Sequence, residues 1–479
     1  MTWRLVLDPA EPCQLKLAEL IAAGCPDAAT PQRIPLGAWD QSPGRWPGDA
    51  GDWAITLLLA APPAGVLPPG TLLLAEWSDG AAQPFAAACG VAPLLTRAAC
   101  SGFAVLAADP QSGERQLRVL LQATVPTLPG LRRQQRRLVT AAAETLLWWL
   151  ALCEQRQQLL LIQPCRGVRL RSAGRLRRRH RLQATGLRLV SSLQRRLGQS
   201  LGRVDSDWQI VIGRLDASGR SLMLEHRLPP GPAGWFADPQ LVADADRLWL
   251  FCERLDPVSG LGVIDLFALE ADGLKPHGTV LQEPFHLSFP RVFRHQGRWF
   301  ATVESAANRE VRLYEADRFP RSWRLRRVLL SGDAWIDPIL LPTPQGWALL
   351  VSNTPLASLP RETAPALHLF VAADLLSEPF LPHPESPLLF DSAAGRNGGR
   401  LELQGQRWRV AQQVGYGGSY GQNLSLRHIE VLDASHYREQ PSSLPWLWDL
   451  AQRLRASHLH TLNSCGDWIA IDYRQRGGR

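Results

Sequence analysis

The sequence predicts a multidomain protein. A small α/β N-terminal domain precedes an all-β five-bladed β-propeller, which strands from both ends of the propeller region close. Three observations carry this prediction. Residues 1–160 alternate strand-like apolar runs with helix-like ones. From Trp208 onward the chain changes to short apolar strands at regular turn spacing, and a two-strand unit with a tryptophan at a nearly fixed place recurs. A chain of 479 residues also exceeds what one hydrophobic core accommodates.

The N-terminal elements follow from apolar runs and punctuation. Strands are expected at 3–7, 53–59, 71–77, 103–107 and 117–123, with a helix over 13–23. The runs 71–77 and 116–122 are apolar enough for burial on one or both faces. A helix with a broad apolar face is expected through 128–160, and its most apolar part, 138–153, is too short to span a bilayer and contains Glu144. This half holds no G-x-G-x-x-G, no P-loop and no G-x-S-x-G, so it proposes no catalytic group.

The middle of the chain carries the charge. Twelve arginines and no acidic residue lie between Arg166 and Arg203; subtracting them from the net charge of +8 leaves −4 for the rest. This segment, 161–204, reads as an Arg-rich helical linker between an α/β domain at 1–160 and a propeller at 205–479. Its plain reading is a solvated helix. Its functional one is a patch for phosphate-bearing partners, centred on Arg175, Arg177, Arg178, Arg179 and Arg181. No aromatic residue interleaves these arginines to stack bases, so an anionic membrane surface ranks above nucleic acid, which is not an expected partner. The N-terminus lacks secretory-signal features, and the eight cysteines form no C-x-x-C or metal-type spacing. The expectation is a cytoplasmic protein, peripheral to a membrane at most, with reduced thiols and no metal or cofactor.

The repeats come next. Asp238-Pro begins a strand that turns and returns through Trp249 to Glu253; Phe289-Pro leads through Trp299 to Glu304, and Asp337-Pro through Trp347 to Ser352. Gly399 leads through Trp408 to Gln412, and His460 through Trp468 to Asp472. The starts lie 48 to 62 residues apart, the length of a four-stranded blade. The first four units have room for further strands. The fifth reaches Arg479 too soon, so the strands near 208–215 and 221–227 are expected to complete it and remove the open sheet edges. A β-sandwich with chance similarity is the competing reading.

Innermost strands of a propeller start around its axis, which gathers Asp238, Ser288, Asp337, Arg400 and His460 at one pocket. The ends of second strands, Glu253, Glu304 and Asn353, return to the same rim. Together with His286, Arg291, Asn308 and Arg309 they suit a polyhydroxylated or anionic ligand, and Trp235, Phe236 and Tyr416 offer stacking faces for a sugar ring. Glycoside chemistry needs two carboxyl groups, one as acid and one as base or nucleophile, and a third carboxylate can raise the acid's pKa. Asp238 as base or nucleophile, Glu304 as acid and Asp337 as the pKa-setting group fill those roles. A repeated Asp-Pro is equally a structural turn device.

The ordered motifs carry a resemblance. They are W-F-A-D-P from Trp235, E-P-F-H-L-S-F-P-R-V-F from Glu283, V-E-S-A-A-N from Val303, V-R-L-Y-E-A from Val311 and F-P-x-x-W from Phe319. H-P-E-S-P-L from His383, R-N-G-G-R from Arg396, R-V-A-Q-Q from Arg409, Y-G at Tyr416 and H-T-L-N from His460 complete the series. Over about 205–475 the chain resembles the propeller domain named for the N-terminal part of plant glucosamine inositolphosphorylceramide transferase. The resemblance implies a five-bladed fold similar to furanosidase-type enzymes and a glycan, glycolipid or sugar-derivative ligand. It implies sugar hydrolysis or transfer, or alternatively non-catalytic glycan binding in surface-polysaccharide biosynthesis. It further implies that 1–160 is a degenerate formyltransferase-like half, although the Asn and H-x-S-L-L-P signature of formyl transfer is missing.

Overall fold

The computed structural model describes residues 2–25, 31–38, 54–60, 62, 67–68, 70–78, 80–109, 116–171, 176–200, 205–359 and 364–477. The N-terminal half contains β1 (Thr2–Leu7), α1 (Pro12–Gly24), β2 (Gln32–Pro35), β3 (Ala54–Leu58), β4 (Thr71–Ser78) and β5 (Ala81–Pro84). It continues with α2 (Val91–Thr96), β6 (Cys100–Ala108), β7 (Leu117–Pro126), α3 (Leu131–Arg156), β8 (Cys165–Leu170) and α4 (Arg178–Ser200). β1 runs parallel to β2 and β3, and β3 parallel to β4, whereas β4, β6, β7 and β8 continue the sheet antiparallel. Both faces are covered. Leu5, Leu57, Leu72, Phe103 and Leu121 pack with Leu17, Ile21, Leu138, Leu146 and Trp149 of α1 and α3 on one side. Val6, Leu58, Leu73, Leu106 and Val119 form a second apolar layer opposite. Continuous burial along β4 is why its sequence shows no polar alternation.

The segment expected as a helical linker differs at its start. Cys165–Leu170 is a strand paired with β7 and β5, and its Val168 is buried in the second apolar layer. Helix begins only at Arg178, because the alternating residues before it complete the sheet. Arg175 and Arg203 lie outside the described residues.

The second half is built mainly from antiparallel strands. β9 (Gln209–Leu215) and β10 (Leu222–Leu228) precede a sheet of β11 (Phe236–Asp244), β12 (Arg247–Leu255), β13 (Gly262–Glu270) and β14 (Gly273–Leu281). A second sheet holds β15 (Ser288–His295), β16 (Arg298–Ser305), β17 (Glu310–Arg318) and β18 (Ser322–Ser331). Then come β19 (Ile336–Thr343), β20 (Gly346–Asn353), β21 (Ala366–Ala372), β22 (Leu381–Pro382) and β23 (Leu389–Phe390). The last sheet combines β24 (Arg396–Leu403), β25 (Gln406–Gly415), β26 (Ser419–Leu432) and β27 (Tyr437–Ser442) with β28 (Ala456–Cys465) and β29 (Trp468–Gln475), after α5 (Pro445–Arg453). β29 pairs with β9 on its far side, so strands from the two ends of this region share one sheet.

The two halves are in contact at the third unit. Phe390 of β23 pairs with Ala123 of β7, and Thr124 Oγ1 donates to Asp391 Oδ1 at 2.6 Å. Leu356, Leu359, Ala364 and Ala366 are buried in the same core as α1 and α3.

Candidate functional site

A repeated backbone device positions the site. In β11, β15 and β19 the pairing register shifts near the start, and the residue before each proline is left-handed: Asp238 (φ 52°), Phe289 (φ 49°) and Asp337 (φ 49°). A non-glycine residue there is strained and persists only where its surroundings hold it. What holds these three is a carboxylate on each amide that the bulge frees from the strand ladder. Asp472 Oδ2 accepts from Asp238 N at 2.9 Å, Asp238 Oδ2 from Phe289 N at 3.0 Å and Glu304 Oε2 from Asp337 N at 2.9 Å. In β24 the equivalent strain falls on Gly399 (φ 125°), where a Cβ would meet Leu462 O at 2.0 Å.

Above these bulges lies a cavity of about 350 Å³. Asp238, Glu253, His286, Ser288, Glu304 and His460 line it, joined by Trp208, Trp235, Arg396 and Tyr420. His286 Nδ1 accepts from Gly262 N at 2.9 Å, which leaves Nε2 to face Glu253 Oε1 at 3.1 Å. That bond with Glu253 raises the His286 pKa against the opposing effect of burial. On the other wall, His460 Nδ1 lies 2.9 Å from Asp472 Oδ2, and Tyr420 OH bonds His460 Nε2. Asp472 Oδ1 accepts from Thr461 Oγ1 at 2.9 Å, and the Trp208 ring centroid lies 4.8 Å from that of His460. The buried imidazole is thus fixed at both nitrogens. Asp238, His460 and Asp472 also lie close enough to hold a metal ion between them. The short Asp472–His460 and Tyr420–His460 contacts already use those atoms as hydrogen-bond partners, so the donor set fits a proton-bonded network better than a metal.

Two of the three cavity carboxyls, Asp238 and Glu304, are pushed toward the neutral form. Burial, reinforced by Glu253 and Asp472, raises Asp238 well above the usual aspartate range. Burial also raises Glu304, with Asp337 adding to it and Arg396 opposing. Asp238 and Glu304 are therefore both poised as proton donors, and their surroundings do not separate an acid from a base. Asp337 is differently placed. It is 2% exposed, and its Oδ2 accepts from Arg396 Nε at 2.5 Å and Gln412 Nε2 at 3.0 Å. Burial works against the Arg396 charge, but Asp337 holds its pKa well above the ordinary value. The Arg396 guanidinium also lies 4.8 Å over the Tyr420 ring.

Other predicted residues lie elsewhere. Phe236 is buried and packs edge-on against Phe267 at 5.5 Å, within the apolar core shared with Ile210 and Ile212. Arg291 is buried against Asn463, and burial lowers its pKa to about 9, with Arg400 contributing. Arg400 lines a different cavity with Gln240, Val292 and Ser464. Asn308 donates to Glu310 at 2.8 Å, and Asn353 to Asp333 at 2.7 Å. Tyr416 lines a broad cleft with Arg97 and Trp448. The reading of the repeats missed Trp208, Arg396, Tyr420 and Asp472. Asp472 had a signal, since it ends its unit as Glu253 and Glu304 end theirs. Arg396 was obscured because counting from Gly399 put the start of β24 too late.

Among solved structures, an exo-1,5-alpha-L-arabinanase from a bovine ruminal metagenomic library is 11% identical, with a TM-score of 0.36, and the match covers 50% of this chain and 97% of that one. An alpha-L-arabinanase of Cellvibrio cellulosa complexed with arabinohexaose is 10% identical, with a TM-score of 0.37, over 50% of this chain and 96% of that one. The glucosamine inositolphosphorylceramide transferase 1 of Arabidopsis thaliana is 32% identical over 213 residues, which is 43% of this chain and 27% of that protein. Its namesake in Oryza sativa subsp. japonica is 30% identical over 218 residues, 44% of this chain and 28% of that protein. The match therefore spans little more than a quarter of those plant relatives. Residues 229–471, half of the chain, match the family described as glucosamine inositolphosphorylceramide transferase 1, N-terminal, and the chain belongs to that family.

Proposed function

We propose that 205–479 is a five-bladed propeller and that its cavity takes a sugar, free or as the head of a glycolipid, and acts on the glycosidic bond by hydrolysis or transfer. The pairing of β29 with β9 supports closure of the ring by strands from both ends of the propeller region. Residues 1–160 form an α/β domain beside it in this reading. One observation carries the chemistry: two carboxyl groups with raised pKa values, Asp238 and Glu304, line one cavity with Trp208 and Trp235. Glu304 donates its proton to the leaving oxygen as the glycosidic C–O bond breaks. A hydroxyl or ammonium of the ligand near Asp238 favours its ionised form, so Asp238 releases its proton to solvent on ligand binding. It then takes the proton of the attacking water or acceptor hydroxyl as that oxygen bonds the anomeric carbon. The names of the plant relatives, as sugar-transferring proteins, agree with this reading.

The test is turnover of a panel of nitrophenyl glycosides and nucleotide sugars, with ligand binding followed in parallel by saturation-transfer NMR. Glu304→Gln is expected to cut turnover of the best substrate by about 10²–10⁴-fold while binding persists. Full turnover in that variant would sink the assignment. A second reading is a glycan-binding protein without catalysis, serving surface-polysaccharide assembly. It is favoured by the way Asp238 and Glu304 each give one oxygen to a backbone amide while Asp337 is closed by Arg396 and Gln412. Binding without turnover of any substrate would select it.

A further inference from the structure

We infer that α4 is a membrane-docking helix that lays this protein on an anionic phospholipid surface, with an arginine-lined cleft beside it receiving lipid phosphates. The inference is independent of the sugar cavity. α4 packs on the N-terminal half through Ala184, which is 3% exposed. Its opposite face carries Leu182 (64% exposed), Leu189 (65%), Val190 (45%) and Leu193 (59%). Residues 182, 189 and 193 are spaced seven and four apart, so they form one stripe directed away from the protein. An exposed stripe of this kind is costly in water and marks an interaction face.

Charge identifies the occupant. No Asp or Glu occurs between Glu154 and Asp205, and Arg177, Arg178, Arg179, Arg181 and Arg188 flank the leucines. Where α4 meets the start of α3, Arg132, Arg133, Arg181 and Arg188 line a cleft of about 450 Å³. Among the described residues these four arginines have no ion-pair partner, so their charge is free for an incoming anion. A stripe of leucines bordered by arginines suits the boundary between lipid tails and anionic headgroups. A second copy of the chain would bring arginines against arginines, and bases would find no aromatic residue on α4 to stack on. No helix among the described residues is long and apolar enough to cross a membrane, so α4 lies on the surface rather than through it.

The test is sedimentation of the full chain with phosphatidylcholine vesicles, with and without 30 mol % phosphatidylglycerol as the order-of-magnitude anionic content of a charged leaflet, roughly as in natural membranes. Binding is expected only to the anionic vesicles, and raised salt should weaken it. Arg181→Gln and Arg188→Gln should each weaken it roughly fivefold. Leu182→Ser/Leu189→Ser/Leu193→Ser should abolish it while far-UV circular dichroism and the melting temperature are retained. If that triple variant fails to fold, the salt and arginine arms still decide. Four results would each overturn the inference: equal binding to neutral vesicles, undiminished binding in the leucine variant, binding to a nucleic-acid duplex but not to vesicles, or leucine-dependent dimerisation without vesicle binding.

Discussion

The carboxyl group of Asp238 and the imidazole of His460 face each other without sharing a short hydrogen bond: Oδ1 lies 3.5 Å from Nδ1, which pairs with Asp472 Oδ2 at 2.9 Å. Asp238 Oδ1 is buried and has no hydrogen-bond partner among the described residues. An unpartnered buried oxygen is costly, and at the edge of a cavity it is the natural acceptor for a ligand hydroxyl. Asp238→Ala should therefore weaken the best sugar ligand roughly ten- to hundredfold, the range for a hydrogen bond to a charged group. Titration calorimetry measures it, and an unchanged affinity would remove Asp238 from the site.

Glu304 links the site to stability. Its pKa is raised by burial and by Asp337, above an ordinary value of 4.5. A raised carboxyl binds more protons in the folded state than in the unfolded one, so the stability it contributes is complete below about pH 4.5 and lost as pH rises through its folded value. Glu304→Gln keeps an acceptor for Asp337 N and cannot ionise. The variant should melt higher than wild type at pH 8 and show a flatter dependence between pH 5 and 8. A variant melting lower at pH 8 would contradict the buried-acid picture.

The strand pairs were legible because each unit repeats an apolar strand, a turn and a tryptophan, and three of the five close on a carboxylate, Glu253, Glu304 or Asp472. Asp238, Glu253, Glu304 and His460 were reachable by that logic. Arg396 and Tyr420 were not, because β24 begins three residues before the Gly399 that marks the unit and the long β26 shifts the fourth unit out of step with the others. Phe236 shows the opposite limit. Strand alternation turns it to the core side while its neighbours Trp235 and Ala237 line the cavity, and a one-residue difference decides which face a side chain takes. The N-terminal contact at Thr124 and Asp391 joins residues 267 apart and leaves no local trace in the sequence.

Arg396 and Asp337 are 8% and 2% exposed, so neither charge can be left alone cheaply. Arg396→Ala strands the Asp337 carboxylate with Gln412 as its remaining side-chain donor. The expected loss is about 3–5 kcal/mol of unfolding free energy, whereas an exposed ion pair broken in the same way costs below about 1 kcal/mol. Urea unfolding of the purified variant checks it. A loss below about 1 kcal/mol would mean that water reaches Asp337.

Acid sensitivity has a different seat. Burial alone would raise the Glu439 pKa, but Arg409, then Arg427 and the Tyr437 hydroxyl overcome it and hold the carboxyl down to about 2. Arg409 Nη2 lies 2.6 Å from Glu439 Oε1, Arg427 Nε lies 3.1 Å from the same oxygen, and Tyr437 OH donates to Oε2 at 2.6 Å. The sign is opposite to that of Glu304. A depressed carboxyl contributes stability that is complete above its ordinary value of 4.5 and lost as pH falls through about 2. A shift of that size corresponds to about 3 kcal/mol. Wild type should thus lose stability steeply below pH 4, in the same range where protonation of Glu304 can give nothing further. Glu439→Gln should destabilise at pH 7 by about 3–5 kcal/mol, because Arg409 is then buried without a counter-charge. It should also have a shallower acid limb than wild type between pH 4 and 2. Parallel unfolding curves for the two proteins across that limb would show that another group carries the acid response.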